Sequence, residues 1–167
     1  MYFCTMLLRR ATVADIPHIG QLFYTTITEI NSADYSPAQI EAWRGGWQNT
    51  AGWQAKLEAQ YFLVAEAPDG LAGFASLCPD GYLDFLFVSA QHQRQGVARE
   101  LLQALLQQAA ALGLSTVHTD ASRTARPFFA HHGFVVERAQ QPVIRGVEIP
   151  NFRMVKPLTF LHSDNQL

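Results

Sequence analysis

Cysteine is nearly missing from this chain, with only Cys4 and Cys78 among 167 residues. Neither has Cys or His neighbours at ligand spacing, which argues against a zinc site and a disulfide framework and leaves free thiols. Long apolar runs are missing too. Nothing approaches the ~20 apolar residues of a membrane span. The opening MYFCTMLLRR places apolar residues before its arginines, the reverse of a secretory signal. A cytoplasmic protein with no membrane partner is expected. An excess of one charge sign is also absent: 12 Lys and Arg stand against 14 Asp and Glu, a net charge of -2. No broad basic field is available for nucleic acid, so any polyanionic partner must be small. Repeats and low-complexity linkers are lacking. What is abundant is apolar residue, 49% of the chain, enough for one packed domain. That domain is expected over residues 1–158, followed by a polar tail over 159–167 that frays.

The pattern along the chain alternates strand and helix signals. Met6 to Ala11 reads as a strand, and Thr12 with Asp15 three positions on forms a capping box for a helix to about Ile30. Ser36-Pro37-Ala38-Gln39 opens a short helix through Trp43 by the same logic, and Trp47 and Trp53 fall in a second helical stretch. Tyr61–Ala67, Leu71–Leu77 and Tyr82–Val88 are strands separated by Pro-Asp-Gly turns, an antiparallel meander. A long helix from Gly96 to Leu112 stops at Gly113. Thr116–Asp120, a helix over Arg123–His132 and Phe134–Ala139 follow, a strand-helix-strand unit that implies parallel pairing of its two strands. A last strand over Asn151–Val155 is expected to form a hairpin with the preceding one across Arg145-Gly146. The fold class is α/β, a mixed and mostly antiparallel sheet of six to seven strands flanked by helices.

The informative junction is YLDFLFVSAQHQRQGVAREL, from Tyr82 to Leu101. A strand runs into a loop and then into a helix. Backbone N–H groups at a helix N-terminus lack partners and face the positive end of the macrodipole, so they suit a phosphate. Gly96 allows close approach, Ala98 keeps the first turn uncluttered, and Arg94 and Arg99 add charge.

Gln93-Arg94-Gln95-Gly96-Val97-Ala98 resembles the Q/R-x-x-G-x-G/A acetyl-CoA motif of the GCN5-related N-acetyltransferases, the GNAT superfamily. Ser122 to Phe129 followed by Gly133-Phe134 is similar to that family's second signature, N-x-x-A-x-x-F-Y and then G-F. Tyr35-Ser36-Pro37, Asp120-Ala121-Ser122, Arg145-Gly146 and Asn151-Phe152 resemble in particular the YafP-like bacterial acetyltransferases. The resemblance implies acetyl-CoA as donor, no metal, and direct attack by an amine, with small-molecule or xenobiotic acceptors. It also implies that the backbone of Leu86, Phe87 and Val88 holds the pantetheine arm and the thioester carbonyl, and that Gln93 to Arg99 hold the pyrophosphate.

An amine acceptor must lose a proton before it attacks, since an ordinary alkylammonium has a pKa of about 10.4. Asp84 is the candidate base, an acid inside an apolar strand and expected on the side of Leu86 and Val88. It serves equally well as a binder of the substrate cation or as a structural hydrogen bonder. The family's usual glutamate position holds Tyr82, a polar alternative, and Phe129 stands where many relatives carry a proton-donating tyrosine. Phe128 and Phe129 then pack beside the cofactor arm. Ser122 either bonds that arm or caps the following helix, and His118 and Asp120 read mainly as structural. Tyr35, Trp43 and Trp47 are candidate acceptor-binding residues, with closure of the core as the competing role. An active N-acetyltransferase, monomer or homodimer, is the leading reading. A cofactor-binding sensor without efficient turnover and a protein N-acetyltransferase are the alternatives, whereas a dinucleotide oxidoreductase is disfavoured because no G-x-G-x-x-G follows the first strand.

Overall fold

The computed structural model describes residues 6–159; Cys4 and all but the first residue of the expected tail lie outside them. A seven-stranded sheet has the order β1-β2-β3-β4-β5-β9-β6. Its strands are β1 (Leu7–Arg10), β2 (Tyr61–Ala67), β3 (Gly70–Leu77), β4 (Tyr82–Val88), β5 (Thr116–Ser122), β6 (Val135–Gln140) and β9 (Asn151–Pro157), and a separate ribbon pairs β7 (Val143–Ile144) with β8 (Val147–Glu148). The helices are α1 (Ile16–Glu29), α2 (Pro37–Arg44), α3 (Thr50–Ala59), α4 (Val97–Ala111) and α5 (Arg126–His131). The mixed, mostly antiparallel sheet expected from the sequence is present, with β4 and β5 as its parallel pair.

Helices cover both faces of the sheet, and β2 shows why its strand is apolar at almost every position. Phe62 and Val64 pack with Ile19, Phe23 and Trp53 from α1 and α3, whereas Leu63, Ala65 and Ala67 pack with Leu101, Leu102 and Leu105 of α4. A strand buried on both faces needs apolar residues on both, so alternation disappears. The α1 entrance is built as the capping pattern implies: Thr12 N–H donates to Asp15 at 2.8 Å, and Arg9 grips the same carboxylate with two 2.8 Å bonds. The α2 cap is reciprocal, with Gln39 N–H donating to Ser36 Oγ and Ser36 N–H to Gln39 Oε1.

In the C-terminal half the expected pairing of β5 with β6 and the expected start of α5 are corrected. β5 and β6 do not pair, because β9 lies between them and runs antiparallel to both. The short α5 leads β6 one strand position further out, and the edge of β5 is closed by β9, the last of the described strands in the chain. The last strand does pair with β6 as expected: the register of Gln140 with Asn151 runs on through Val143 with Glu148 and Ile144 with Val147 to the turn at Arg145-Gly146, where φ is 49° and 80°. α5 begins at Arg126 rather than Arg123, since Pro127 suits the first turn of a helix and not its interior.

Candidate active site

Parallel pairing of β4 and β5 stops after two residue pairs, Tyr82 with His118 and Leu83 with Thr119. At that point the Thr119 hydroxyl, buried, donates to the Leu83 carbonyl at 2.9 Å in place of the strand bond that ends there. Beyond it the strands part. Asp84 to Val88 have β3 on one side and no strand on the other, and a cavity of about 460 Å³ opens between them and Thr119–Ser122. Edge amides in such a gap are available to an extended ligand, because a backbone polar group without a partner seeks one. The Val88 carbonyl is already satisfied, accepting from Gln93 Nε2 at 2.8 Å and Thr26 Oγ1 at 3.3 Å.

β4 leads into the loop that opens α4. Ser89 Oγ bonds His92 Nδ1, and His92 Nε2 meets Asp69 at 3.1 Å, tying the loop to the β2–β3 turn. Arg94 and Gly96 then take left-handed φ of 60° and 81°, the second opening the helix where a side chain would cost energy. Arg94, Gln95, Gly96 and Arg99 are solvent-exposed at this terminus, while Val97 is buried in the core and offers its main chain alone. Gln93 and Ala98 reach the cavity wall.

The structure brings together most of the residues singled out in the sequence. Tyr82, Asp84, Leu86, Phe87, Val88, Ser122, Phe128, Phe129, Tyr35 and Trp43 all line the one cavity. Trp47 does not; it packs on Tyr24 at 4.9 Å while its carbonyl accepts the Trp53 indole N–H at 2.9 Å. Its place is in the scaffold behind α1. Ser122 Oγ accepts the Ala125 N–H at 3.0 Å, the capping role weighed for it. Phe129 is buried against Phe134, ring centroids 5.1 Å apart, with an edge at the cavity.

Asp84 departs from its expected orientation. β3 and β4 slip register between Ser76–Phe85 and Leu77–Leu83, which makes Asp84 the extra residue of a bulge. The bulge breaks alternation, and Asp84 turns towards α3 rather than to the side of Leu86 and Val88. Its Oδ2 accepts from Lys56 Nζ and Gln60 Nε2, both at 2.8 Å.

Tyr82 is held by a network the sequence did not announce. Its hydroxyl donates to Asp120 Oδ2 at 3.1 Å, and Asp120 also accepts from Arg153 Nε at 2.6 Å and Gln140 Nε2 at 2.8 Å. Burial pushes the Tyr82 phenol well above its ordinary value, and the Asp120 charge pushes it further, so it stays protonated at neutral pH. Burial raises the Asp120 carboxyl, but hydrogen bonds from Arg153, Gln140 and Tyr82 outweigh it and hold the net value below the carboxylate norm. A depressed folded-state value gives stability that is present above the unfolded carboxylate pKa of ~3.9 and lost as pH falls through the folded value. Arg153→Met is therefore expected to cost about 2 kcal/mol at pH 7. Thermal unfolding from pH 7 to pH 3 checks it: the gap from the parent protein should narrow steadily as the solution is acidified.

Arg153, Gln140 and Asn151 were missed in the sequence, as were Thr26, Ile144 and Ile149 in the cavity wall. They are distant in the chain and meet because β9 inserts beside β5 and the β7–β8 ribbon folds back over α2. No metal-capable cluster of His, Cys, Asp and Glu occurs among the described residues. No described helix is long and apolar enough to cross a membrane.

A mixed sheet whose central parallel pair opens beside the start of a long helix is the architecture of the GNAT acetyltransferases, and the acetyltransferase (GNAT) domain model matches residues 31–156. The chain belongs to that family. It is 33% identical over 147 residues to the uncharacterized N-acetyltransferase YafP of Escherichia coli (strain K12), covering 88% of this chain and 93% of that protein. A crystal structure from Rhodopseudomonas palustris, described as a GCN5-related N-acetyltransferase and a class-II aminotransferase, superposes with a TM-score of 0.88 at 33% identity, covering 95% of this chain and 99% of that one. The PaiA N-acetyltransferase of Thermoplasma acidophilum, solved in complex with coenzyme A, shares the fold with a TM-score of 0.77 at 17% identity, over 92% of this chain and 99% of that one.

Proposed function

We propose that the protein moves an acetyl group from acetyl-CoA to a primary amine of a small molecule by direct attack within a ternary complex. The observation that carries this reading is the gap between β4 and β5, where strand pairing ends at Leu83 and Thr119 next to the α4 N-terminus. The donor set fits the ligand: free strand edge for an amide-bearing arm, unpartnered helix amides and two arginines for a diphosphate. Leu86, Phe87 and Val88 hold the arm by their main chain, with Ser122, Phe128 and Phe129 on the opposite wall. Gln93, Arg94, Gln95, Gly96, Val97, Ala98 and Arg99 receive the diphosphate. Acetyl-CoA supplies the activated acetyl group.

Tyr82 is the group best placed to meet the amine. Its proton is committed to Asp120, which leaves a phenolic lone pair to accept an N–H and orient the nitrogen. Asp84 is the alternative, a proton acceptor acting through water, although its Oδ2 is already in use by Lys56 and Gln60. Phe129 has no proton to give, so as the amide N–C bond forms and the C–S bond breaks the sulfur departs as thiolate, tolerable for a thiol of pKa about 8.5, and the nitrogen's surplus proton passes to water in the open cavity. The compartment is proposed as the cytoplasm.

The test is thiol release on mixing the protein, acetyl-CoA and a panel of primary amines. Release above the amine-free rate is expected, and binding of acetyl-CoA without any such release would favour a sensor instead. In the same assay Asp84→Asn distinguishes the two polar candidates. If Tyr82 meets the amine, kcat falls less than about tenfold and the pH–rate profile keeps its shape; a lost limb of the profile would move the role to Asp84.

A further inference from the structure

Every charge in the acceptor half of the cavity is already balanced by another group of this chain. Two carboxylates line the wall, Asp84 and Asp120. Asp84 is paired with Lys56 at 2.8 Å, and both oxygens of Asp120 are taken by Arg153, Gln140 and Tyr82. The aromatic faces are occupied in the same way. Lys56 stands 5.1 Å from the Phe85 ring centroid, Arg123 5.5 Å from that of Tyr35, and Arg153 5.8 Å from that of Tyr82. A second ammonium on the ligand would find both wall carboxylates already neutralised by Lys56 and Arg153, cations that stand outside the cavity lining, and so would gain little to offset its desolvation.

Apolar surface makes up the rest. Phe23, Ile30, Trp43 and Phe85 form the inner wall, and Ile144 of the β7–β8 ribbon and Ile149 just after it roof the space. That roof is fastened by a specific joint. The Arg145 side chain, at the tip of the ribbon, donates from Nη1 to the Ala42 carbonyl at 2.8 Å, in the last turn of α2. Carbonyls at a helix C-terminus lack partners and favour a cation. Gly45 and Gly46 form the notch that admits it: a Cβ on Gly45 would fall 2.9 Å from the guanidinium carbon, and one on Gly46 2.6 Å from Nη2. Two further bonds hold the ribbon's base, Gln39 Nε2 to the Glu148 carbonyl at 2.9 Å and Tyr35 Oη to the Pro150 carbonyl at 2.6 Å.

We infer that the acceptor is a monoamine with a compact apolar body of aromatic size, bound under a ribbon that Arg145 locks against α2, and not a polyamine or another polycation. This rests on the proposed amine acetylation and narrows its substrate. The single nitrogen reaches Tyr82, and the body fills the space below Ile144 and Ile149. Arg145 is a positioning residue, since it touches the roof's anchor and not the ligand.

The probes are 2-phenylethylamine and spermidine, titrated into the full chain saturated with CoA and followed by calorimetry and tryptophan fluorescence, with Trp43 in the wall as reporter. 2-Phenylethylamine is expected to bind at least about tenfold more tightly than spermidine. Arg145→Ala should weaken its binding by roughly tenfold while CoA affinity stays unchanged, and Arg145→Lys should recover part of the loss. Should Arg145→Ala fail to fold, Ile144→Ala is expected to give the same selective loss. Spermidine binding as well as or better than 2-phenylethylamine overturns the inference, and so does failure of both to bind. Thiol release on adding acetyl-CoA separates the two claims. Bound 2-phenylethylamine with no transfer sinks the acetylation reading and leaves the pocket assignment standing, whereas preferred acetylation of spermidine does the reverse.

Discussion

Gly96→Glu is expected to weaken acetyl-CoA binding by about 100-fold or more, roughly 2.7 kcal/mol, while the protein remains folded. The residue opens α4 at φ 81° and is exposed, and a Cβ built on it meets nothing within 4 Å. The substitution therefore creates no clash in the protein itself. It imposes left-handed strain of about 1–2 kcal/mol on a residue with a side chain, and it sets a carboxylate among the amides proposed to receive the diphosphate. Gly96→Ala separates these effects. It carries the strain without the charge, so it should lose about 1 kcal/mol of stability and retain most of the affinity. Calorimetry with acetyl-CoA on both variants makes the comparison; undiminished affinity in Gly96→Glu would remove the diphosphate from this helix end.

Gly73→Ala is expected to have the second large effect, on stability and binding together. A Cβ at this position on β3 would stand 2.6 Å from the Phe87 carbonyl oxygen, with Leu101 and Val97 side chains at 3.1 and 3.2 Å behind it. Backbone on one side and a packed helix on the other leave no easy relief. Overpacking of this kind costs about 3 kcal/mol, or a fall in melting temperature of roughly 10 °C for a chain of this size. The strain also falls on the strand segment whose main chain is proposed to hold the acyl donor. Acetyl-CoA affinity should therefore drop by about tenfold even at a temperature where the variant is fully folded. A stable variant with native affinity would show that β4 yields freely at Phe87.

The β4–loop–α4 junction was legible in the chain because its parts are consecutive. A strand, seven loop residues and a glycine helix start can be read in order, and each local signal agrees with the next. Ser36 and Gln39 announced their helix equally well, since a capping box spans only four residues. Asp84 was misoriented because period-two alternation assumes an unbroken ladder, and the bulge between Ser76–Phe85 and Leu77–Leu83 leaves no mark in the residues that form it. Trp47 was a candidate both for the cleft and for closing the core, because aromatic character serves packing on Tyr24 as well as it would serve a ligand, and only the fold chose the second. The strand-helix-strand rule gave the right relative direction for β5 and β6 and the wrong adjacency, because nothing local to either foretells that β9 comes between them.

By itself the amino-acid order determined what neighbouring residues determine jointly: strand and helix identities, the caps, and a long helix that starts on a glycine. Tertiary structure alone decided which side of the sheet Asp84 faces, that Asp120 and Arg153 clasp Tyr82, and that Arg145 reaches the glycine notch after α2. Those contacts join positions 33, 38 and about a hundred residues apart. Their energies arise only once the chain has closed on itself, and so no short window of sequence contains them.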